Sequence, residues 1–270
     1  MPLIQIGDVE LYYEAHGEGE PLILIPGFVS GLWLWFKQSE VLARRFRTIV
    51  FDPRGVGRSE GGRTPETIRG CADDVAALLS ALGVERAHVL GVSFGGFVAQ
   101  EFALTHPRNL GKLVLCCTSY GGARHLPPSA STLQAMASPH GLNTEERTRK
   151  NLRPAFAPEF LAGRPEEVEE VTALRLRHPV GELTHLAQVQ AAATFDAEAR
   201  VSRIEAPTLV VTGDEDAIVP PENSRHLAAS IPGARLTIIE GAGHMVFIER
   251  AEEFNRAVVG FLDERPATRP

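Results

Sequence analysis

A serine flanked by two glycines is the first group in this sequence that could act as a nucleophile. The pentapeptide GVSFG spans Gly91–Gly95, after the apolar stretch Ala87–Leu90 and before helical apolar spacing over Phe97–Leu104. At such a strand-to-helix turn a strained backbone holds the hydroxyl of Ser93 in open space, and the helix N-terminus places N–H groups beside it. Side chains two positions away would clash with the turn, which requires glycine at both positions.

The histidine of a GAGH tetrapeptide is the best candidate for the base that a serine nucleophile requires. His244 ends the segment Glu240–His244, directly after the last predicted strand and before the last predicted helix. The glycines leave this loop free to bring the imidazole over the edge of the sheet. The other histidines lack such a position, and the spacing of His178 and His185 is not typical of metal ligands.

The carboxylate that orients the base should follow the penultimate predicted strand, because the chain order in this type of sheet is serine, acid, histidine. That strand is Thr208–Thr212, and acids stand at positions 214, 215 and 216. We predict Asp216, since a few residues are needed for the chain to bend back over the sheet. Asp214 is the alternative, and would otherwise cap the turn. Glu240 is a more distant alternative.

Two backbone N–H groups should complete the site by stabilising a developing negative charge. One belongs to Phe94, directly after Ser93, and the other to Phe28, in the Pro-Gly-Phe turn after the third predicted strand. Gly27 permits the turn that aims the Phe28 N–H. Taken alone, this Pro-Gly turn is equally typical of an ordinary loop.

Eight predicted strands and the helices between them position these groups. Leu3–Ile6 and Val9–Ala15 form a hairpin of alternating polarity. Six apolar runs then suit buried parallel strands, at Pro21–Ile25, Arg47–Phe51, Ala87–Val92, Leu113–Cys117, Thr208–Thr212 and Leu236–Ile239. Helical spacing lies at Gln38–Arg45, Ile68–Leu82, Phe94–Leu104, Glu222–Ser230 and Glu252–Leu262. The alternation predicts an α/β fold with a mostly parallel eight-stranded sheet flanked by helices, which binds ligands where its strands end.

The segment 120–195 interrupts this alternation. It has helical patches at Pro165–Leu176 and Leu183–Ala193 but no clear buried strand. Because a structureless loop of this length is uncommon in a compact domain, we predict an inserted helical lid. The remaining residues, 1–119 and 196–270, are predicted to form one core domain.

Composition excludes several partners and compartments. The net charge is −7, from 34 acidic and 27 basic residues, which argues against nucleic acid or an anionic membrane as partner. The three cysteines include the adjacent pair Cys116 and Cys117, which is not a disulfide framework and favours a reducing compartment. With no basic region and apolar run at the N-terminus, and no apolar run long enough to span a bilayer, we expect a cytoplasmic protein.

These motifs together resemble the α/β-hydrolase superfamily over nearly the whole chain. The motifs that carry the resemblance are Pro26–Phe28, Asp52–Ser59, Gly91–Gly95, Gly213–Pro220 and Gly241–His244. Within the superfamily the chain is most similar to small bacterial carboxylesterases, 3-oxoadipate enol-lactonases and cofactor-free haloperoxidases or perhydrolases. One departure is Pro26, because many relatives carry histidine at that position.

The resemblance and the predicted triad together imply a serine hydrolase. We expect it to cleave small, mostly apolar carboxylic esters through an acyl-enzyme, as a monomer or homodimer whose partner is its small-molecule substrate. No metal or organic cofactor is expected. The same triad would serve a lactonase or a perhydrolase, and a non-catalytic protein of this fold that binds a small ligand is a further alternative.

The resemblance also implies where a substrate pocket would lie. Its expected lining is Gly27, Phe28, Phe94 and Met245, with the lid residues Leu133, Met136, Phe156, Phe160 and Leu186. Such a pocket suits an apolar acyl ester. A lactonase for charged substrates would need a basic group there, for which Arg124, Arg153, Arg175 and Arg177 are available.

Overall fold

The predicted strands form one central sheet. The computed structural model describes residues 2–136 and 141–264. Its strands are β1 (Leu3–Ile6), β2 (Val9–His16), β3 (Pro21–Ile25), β4 (Arg47–Phe51), β5 (Glu60–Gly61), β6 (Ala87–Val92), β7 (Leu110–Cys116), β8 (Thr208–Gly213) and β9 (Arg235–Ile239). They lie in the order β1-β2-β4-β3-β6-β7-β8-β9, with β5 paired to β2. The prediction of eight strands is confirmed, and the two-residue β5 adds to them.

Strand direction brings the candidate groups to one edge of the sheet. β2 is antiparallel to β1 and β4, whereas every pairing from β4 through β9 is parallel. β6 pairs with β3 on one side and with β7 on the other. The loops that follow β3, β6, β7 and β8 therefore leave neighbouring strands at the same edge.

Helices cover both faces of the sheet. They are α1 (Ser39–Ala43), α2 (Ile68–Ala81), α3 (Phe94–Thr105), α4 (Ala130–Met136), α5 (Thr144–Leu152), α6 (Pro158–Gly163), α7 (Pro165–Arg177), α8 (Glu182–Ala193), α9 (Pro221–Ser230), α10 (Val246–Glu249) and α11 (Ala251–Asp263). Along β3, Ile23 and Ile25 pack into one apolar cluster with residues of α2 and α3, whereas Leu22 and Leu24 pack into another with residues of α11. A strand with both faces buried explains why β3 is a continuous apolar run.

Five helices, α4 to α8, lie between residues 130 and 193 within the described part of the chain. The segment that carries them is closed at its base, where Gly121 pairs with Asp196 and the Ala197 N–H donates to the Tyr120 carbonyl at 2.8 Å. The division into a core of 1–119 and 196–270 and a lid of 120–195 remains our interpretation. Of those ranges, Met1, 137–140 and 265–270 lie outside the described residues.

Hydropathy and helix length bear on membrane insertion. Within residues 2–136 and 141–264, no helix combines the length and the apolar character needed to cross a bilayer.

Candidate active site

Ser93 lies in a sharp turn between β6 and α3. Its backbone has φ 55° and ψ −117°, a region that residues other than glycine rarely adopt. A Cβ atom built on Gly91 would lie 2.2 Å from the Gly95 carbonyl oxygen, and one built on Gly95 would lie 2.3 Å from the Ile25 carbonyl oxygen. Both positions therefore exclude any side chain, as the motif predicts.

Hydrogen bonds from neighbouring elements hold this turn. The Ser93 N–H donates to the Cys116 carbonyl at 2.9 Å, and the Ser93 carbonyl accepts from the hydroxyl of Thr118 at 2.9 Å. The same carbonyl accepts from the Gly96 N–H at 2.9 Å. Because the strained backbone is bonded on both sides, the serine side chain keeps its position at the strand end.

His244 and Asp216 form a buried pair in the loops that follow β9 and β8, respectively. His244 Nδ1 lies 2.8 Å from Asp216 Oδ2, and both residues are buried. Asp216 Oδ1 accepts the N–H groups of Ile218 at 2.9 Å and Val219 at 2.8 Å. Both carboxylate oxygens are thus engaged, and the Nδ1 contact directs Nε2 away from the acid.

Asp214, the alternative acid, bonds to the backbone of the histidine loop and not to the imidazole. Its Oδ1 accepts the Gly241 N–H at 2.7 Å and the Ala242 N–H at 3.4 Å. It therefore ties the end of β8 to the loop that carries His244, in the turn-capping role weighed for it. Glu240 is exposed, and its carbonyl accepts a bond from the Arg250 side chain.

Glu249 also supports the histidine loop, and the sequence motifs did not single it out. Its carboxylate accepts the Gly243 N–H at 3.1 Å and the Ala157 N–H at 2.9 Å, so it joins that loop to the segment 155–157. Burial raises the pKa of this carboxyl group. Glu249 lies five residues after His244, at the end of α10 and ahead of the last predicted helix, where no motif pointed to it.

The predicted oxyanion donors lie where they could serve Ser93. Phe94 opens α3, and neither its N–H nor that of Phe28 has an acceptor among residues 2–136 and 141–264. A Cβ atom built on Gly27 would lie 3.6 Å from the Cβ of Ser93, so the two turns are in contact. Two free amides beside a serine could stabilise an oxyanion.

Cys117 is a third buried polar group beside the pair. Its Sγ, an Asp216 carboxylate oxygen and a His244 ring nitrogen lie within 4.8 Å of one another. Burial holds the pKa of this thiol well above its usual range, which disfavours the thiolate that a metal would need. The Asp216 oxygens and His244 Nδ1 already bond to protein groups, so this donor set fits a hydrolytic site better than a metal site.

Leu186, which is predicted to line the pocket, is 54% exposed. α8 turns Thr184, Ala187, Gln188 and Ala191 inward, at helical spacing, so Leu186 lies on the opposite face. Leu133 is also exposed, and α4, which carries it, has no buried residue. That these two leucines line a pocket stays a prediction, and neither borders the cavity beside Gly27 and Phe94.

Three other residues predicted to line the pocket, Phe156, Phe160 and Met245, are buried in the core. Phe156 and Phe160 stack on each other with ring centroids 5.6 Å apart, and both belong to an apolar cluster with Met245. The Met245 N–H donates to the Ala155 carbonyl at 3.0 Å, which holds this segment beside His244. Met136 is half-buried on α4.

A narrow cavity of about 30 Å³ adjoins Phe94, one of the two predicted oxyanion donors, and Gly27, which precedes the other. Its lining includes Gly27, Phe94 and Gln188, together with Arg54 and Asp74. Gln188 was not predicted, because which face of α8 turns inward depends on what the helix packs against. Of the predicted lining residues, Gly27 and Phe94 are the ones that border this cavity.

One of the four available arginines lies near the site. Arg175 is half-buried on α7, and its Nη1 donates to Ser30 Oγ at 2.9 Å and lies 3.4 Å from the Phe28 carbonyl. Its hydrogen-bond partners in the described ranges are a hydroxyl and a carbonyl, with no carboxylate among them, and burial lowers its pKa to about 10. Arg124 pairs with Glu198 at the surface, and Arg153 and Arg177 are exposed.

Comparison with known proteins places this geometry in a family. The family model described as the alpha/beta hydrolase fold matches residues 20–251. The chain belongs to the alpha/beta hydrolase family. It is 32% identical over 267 residues to the "Putative carbamate hydrolase RutD" of Azorhizobium caulinodans, covering 98% of this chain and 99% of that relative. The relatives support hydrolase activity.

Solved structures of other alpha/beta hydrolases superimpose on this chain. A hydrolase from Pseudomonas aeruginosa PA01 matches with a TM-score of 0.81 and 33% identity, over 95% of both chains. The enol-lactonase from Burkholderia xenovorans LB400 matches with a TM-score of 0.84 and 27% identity, over 97% of this chain and 100% of that one. The named relatives thus span more than one kind of hydrolysed bond.

Proposed function

We propose that this alpha/beta hydrolase cleaves small carboxylic esters through an acyl-enzyme on Ser93. The observation that carries the proposal is the 2.8 Å bond between His244 and Asp216, at the same edge of the sheet as a strained serine turn. A buried imidazole with one nitrogen bound to a carboxylate is suited to act as a general base at the other. The predicted roles of all three residues are part of this proposal.

The reaction proceeds in two steps. His244 takes the proton of Ser93 as its oxygen attacks the ester carbonyl, and the N–H groups of Phe28 and Phe94 bind the oxyanion. Protonated His244 then gives its proton to the leaving alcohol. A water molecule activated by the same imidazole frees the carboxylic acid and restores the serine. Asp216 orients the imidazole and stabilises its charged form.

Hydrolysis of p-nitrophenyl esters from acetate to decanoate tests the proposal, with wild type and Ser93→Ala side by side. We expect turnover in wild type that falls by at least about 10³-fold in the variant. Turnover that survives Ser93→Ala would overturn the role of the serine. Absence of both turnover and labelling by a serine-directed organophosphate would favour the non-catalytic binding protein.

A second candidate is hydrolysis of a lactone or ester that bears a carboxylate. Arg175 favours it, because this half-buried guanidinium beside the Phe28 turn has no carboxylate partner in the described ranges. An anionic substrate group would supply that partner. The match to an enol-lactonase structure is consistent with such a substrate.

Paired substrates separate the two candidates. Each lactone or ester is tested as its free carboxylate and as the corresponding methyl ester, with wild type and Arg175→Met. If the second candidate holds, the variant loses kcat/KM for the carboxylate by about 10-fold or more and leaves the methyl ester unchanged. Equal effects on both forms would exclude a carboxylate subsite at Arg175.

A further inference from the structure

The turn that carries the Phe28 amide contacts the helical segment 130–193 at three consecutive residues. The Phe28 ring meets the ring of His185 with centroids 5.2 Å apart, and Ser30 Oγ accepts from Arg175. Between them, the Val29 N–H donates to Gln188 Oε1 at 2.7 Å. The last contact joins residues 159 positions apart and is buried.

Val29 has a backbone conformation that needs support. Its φ is 45°, in the left-handed region, where a β-branched residue is a marked outlier. Such a conformation persists only when the surrounding structure holds it. The bond to Gln188 is the side-chain contact that acts on the Val29 amide, and that amide follows directly after Phe28.

Gln188 is built into this position. The residue is 3% exposed, on the inward face of α8, and it lines the narrow cavity together with Gly27 and Phe94. Burying a carboxamide costs free energy unless it forms hydrogen bonds. The oxygen of the Gln188 carboxamide accepts one from the Val29 N–H. The Gln188 side chain, which belongs to the segment 130–193, therefore reaches the turn that carries the Phe28 N–H (the oxyanion turn).

We propose that Gln188 is a positioning residue that holds the Phe28 N–H in the oxyanion hole through Val29. Gln188 itself touches no reacting atom. With α8 packed against the turn, the amide oxygen of Gln188 holds Val29 in the left-handed region. The N–H of Phe28, the preceding residue, then points at the carbonyl under attack. The inference rests on the proposed function, because it concerns the oxyanion of the ester reaction at Ser93.

Gln188→Met tests this inference, because methionine has a similar volume and no amide acceptor. The matched control is Gln190→Met, on the exposed face of the same helix. We expect kcat on p-nitrophenyl acetate to fall about 10- to 100-fold in Gln188→Met, with KM within about threefold, since an oxyanion donor acts mainly in the transition state. Gln190→Met should match wild type.

A transition-state analogue separates positioning from a merely structural role. A trifluoromethyl ketone forms a hemiketal oxyanion on the serine, so its Ki should rise by the same factor as kcat/KM falls. A product acid, which has no tetrahedral oxyanion, should bind both proteins equally. Thermal unfolding midpoints of the two methionine variants show whether each is folded. If Gln188→Met does not fold, Gln188→Asn retracts the acceptor by one methylene and serves in its place.

Rescue through the backbone provides the decisive comparison. Glycine adopts positive φ without strain, so Val29→Gly in the Gln188→Met background should restore at least about a third of the lost kcat. The inference is overturned if Gln188→Met and Gln190→Met have kcat values within twofold, or if Val29→Gly restores nothing. If the wild-type protein shows no ester turnover, the result contradicts the proposed ester hydrolase activity and leaves nothing for Gln188 to position.

Discussion

Asp216 Oδ2 and His244 Nδ1 lie 2.8 Å apart, and the other oxygen of the same carboxylate accepts two backbone N–H groups. The carboxylate can therefore not rotate without losing a bond. This rigid, buried acid sets the imidazole in one orientation. Asp214, two residues earlier, accepts instead from backbone N–H groups of the loop that carries His244.

The two aspartates provide a matched pair of variants. Asp216→Asn should lower kcat by about 10²- to 10⁴-fold, because an amide in place of the carboxylate no longer orients or stabilises the imidazolium. Asp214→Asn should lower the free energy of unfolding by about 1 kcal/mol and change kcat far less. Ester kinetics and urea unfolding of both variants measure this. A larger loss of kcat in Asp214→Asn would reverse the assignment.

Substitution of Gly91 or Gly95, the glycines that flank Ser93, should disrupt the site through steric clashes alone. In Gly95→Ala the new methyl group would meet the carbonyl oxygens of Ile25 and Pro26 at 2.3 and 2.5 Å, which pushes the oxyanion turn away. We expect a loss of about 3 kcal/mol or more in unfolding free energy, or no folded protein. Gly260→Ala is the control, because nothing lies within 4 Å of its Cβ position on α11. It should stabilise the protein by about 0.5–1 kcal/mol, and equal behaviour of the two variants would contradict the steric argument.

The thiols should be unreactive in the folded protein. Burial raises the pKa of Cys71 to about 12 and that of Cys117 well above its usual range, so the reactive thiolate is scarce at pH 8. Titration with an aromatic disulfide reagent should detect no fast thiol in the native protein and all three after denaturation. Rapid native labelling, with loss of ester hydrolysis, would show that Cys117 is accessible.

Glu249 should make stability depend on pH. Because burial raises the pKa of its carboxyl group, the folded state keeps the proton at a pH where the unfolded chain has lost it. Its contribution to the unfolding free energy is therefore full below the unfolded pKa and is lost as pH rises through the folded pKa. Glu249→Gln lacks this titration, so the stability of wild type minus variant should shrink from about pH 4 upward.

Urea unfolding at a series of pH values measures this difference. Glu253→Gln, at an exposed position of α11, is the control for removing one carboxylate. A difference between wild type and Glu249→Gln that stays constant with pH would contradict the role of burial.

Local patterns determined the sheet and the order of the candidate groups. The buried strands are short apolar runs bounded by turns, and this pattern depends only on neighbours in the chain. Gly91 and Gly95 flank Ser93 because the turn leaves no room for a side chain, which the sequence shows directly. His244 followed from its place between the last strand and the last helix.

Tertiary structure decided the contacts between distant segments. Asp214 and Asp216 have the same side chain two residues apart, and only the path of the loop after β8 determines which one reaches His244. Gln188 reaches Val29 across 159 positions, and Leu186 faces solvent because the rotation of α8 about its axis depends on what it packs against. Turn and strand signals are local, and they led to Ser93, to His244 and to the acidic loop after β8. The choice between equivalent side chains, and the contacts made by the segment 130–193, are decided by packing, which the sequence alone does not show.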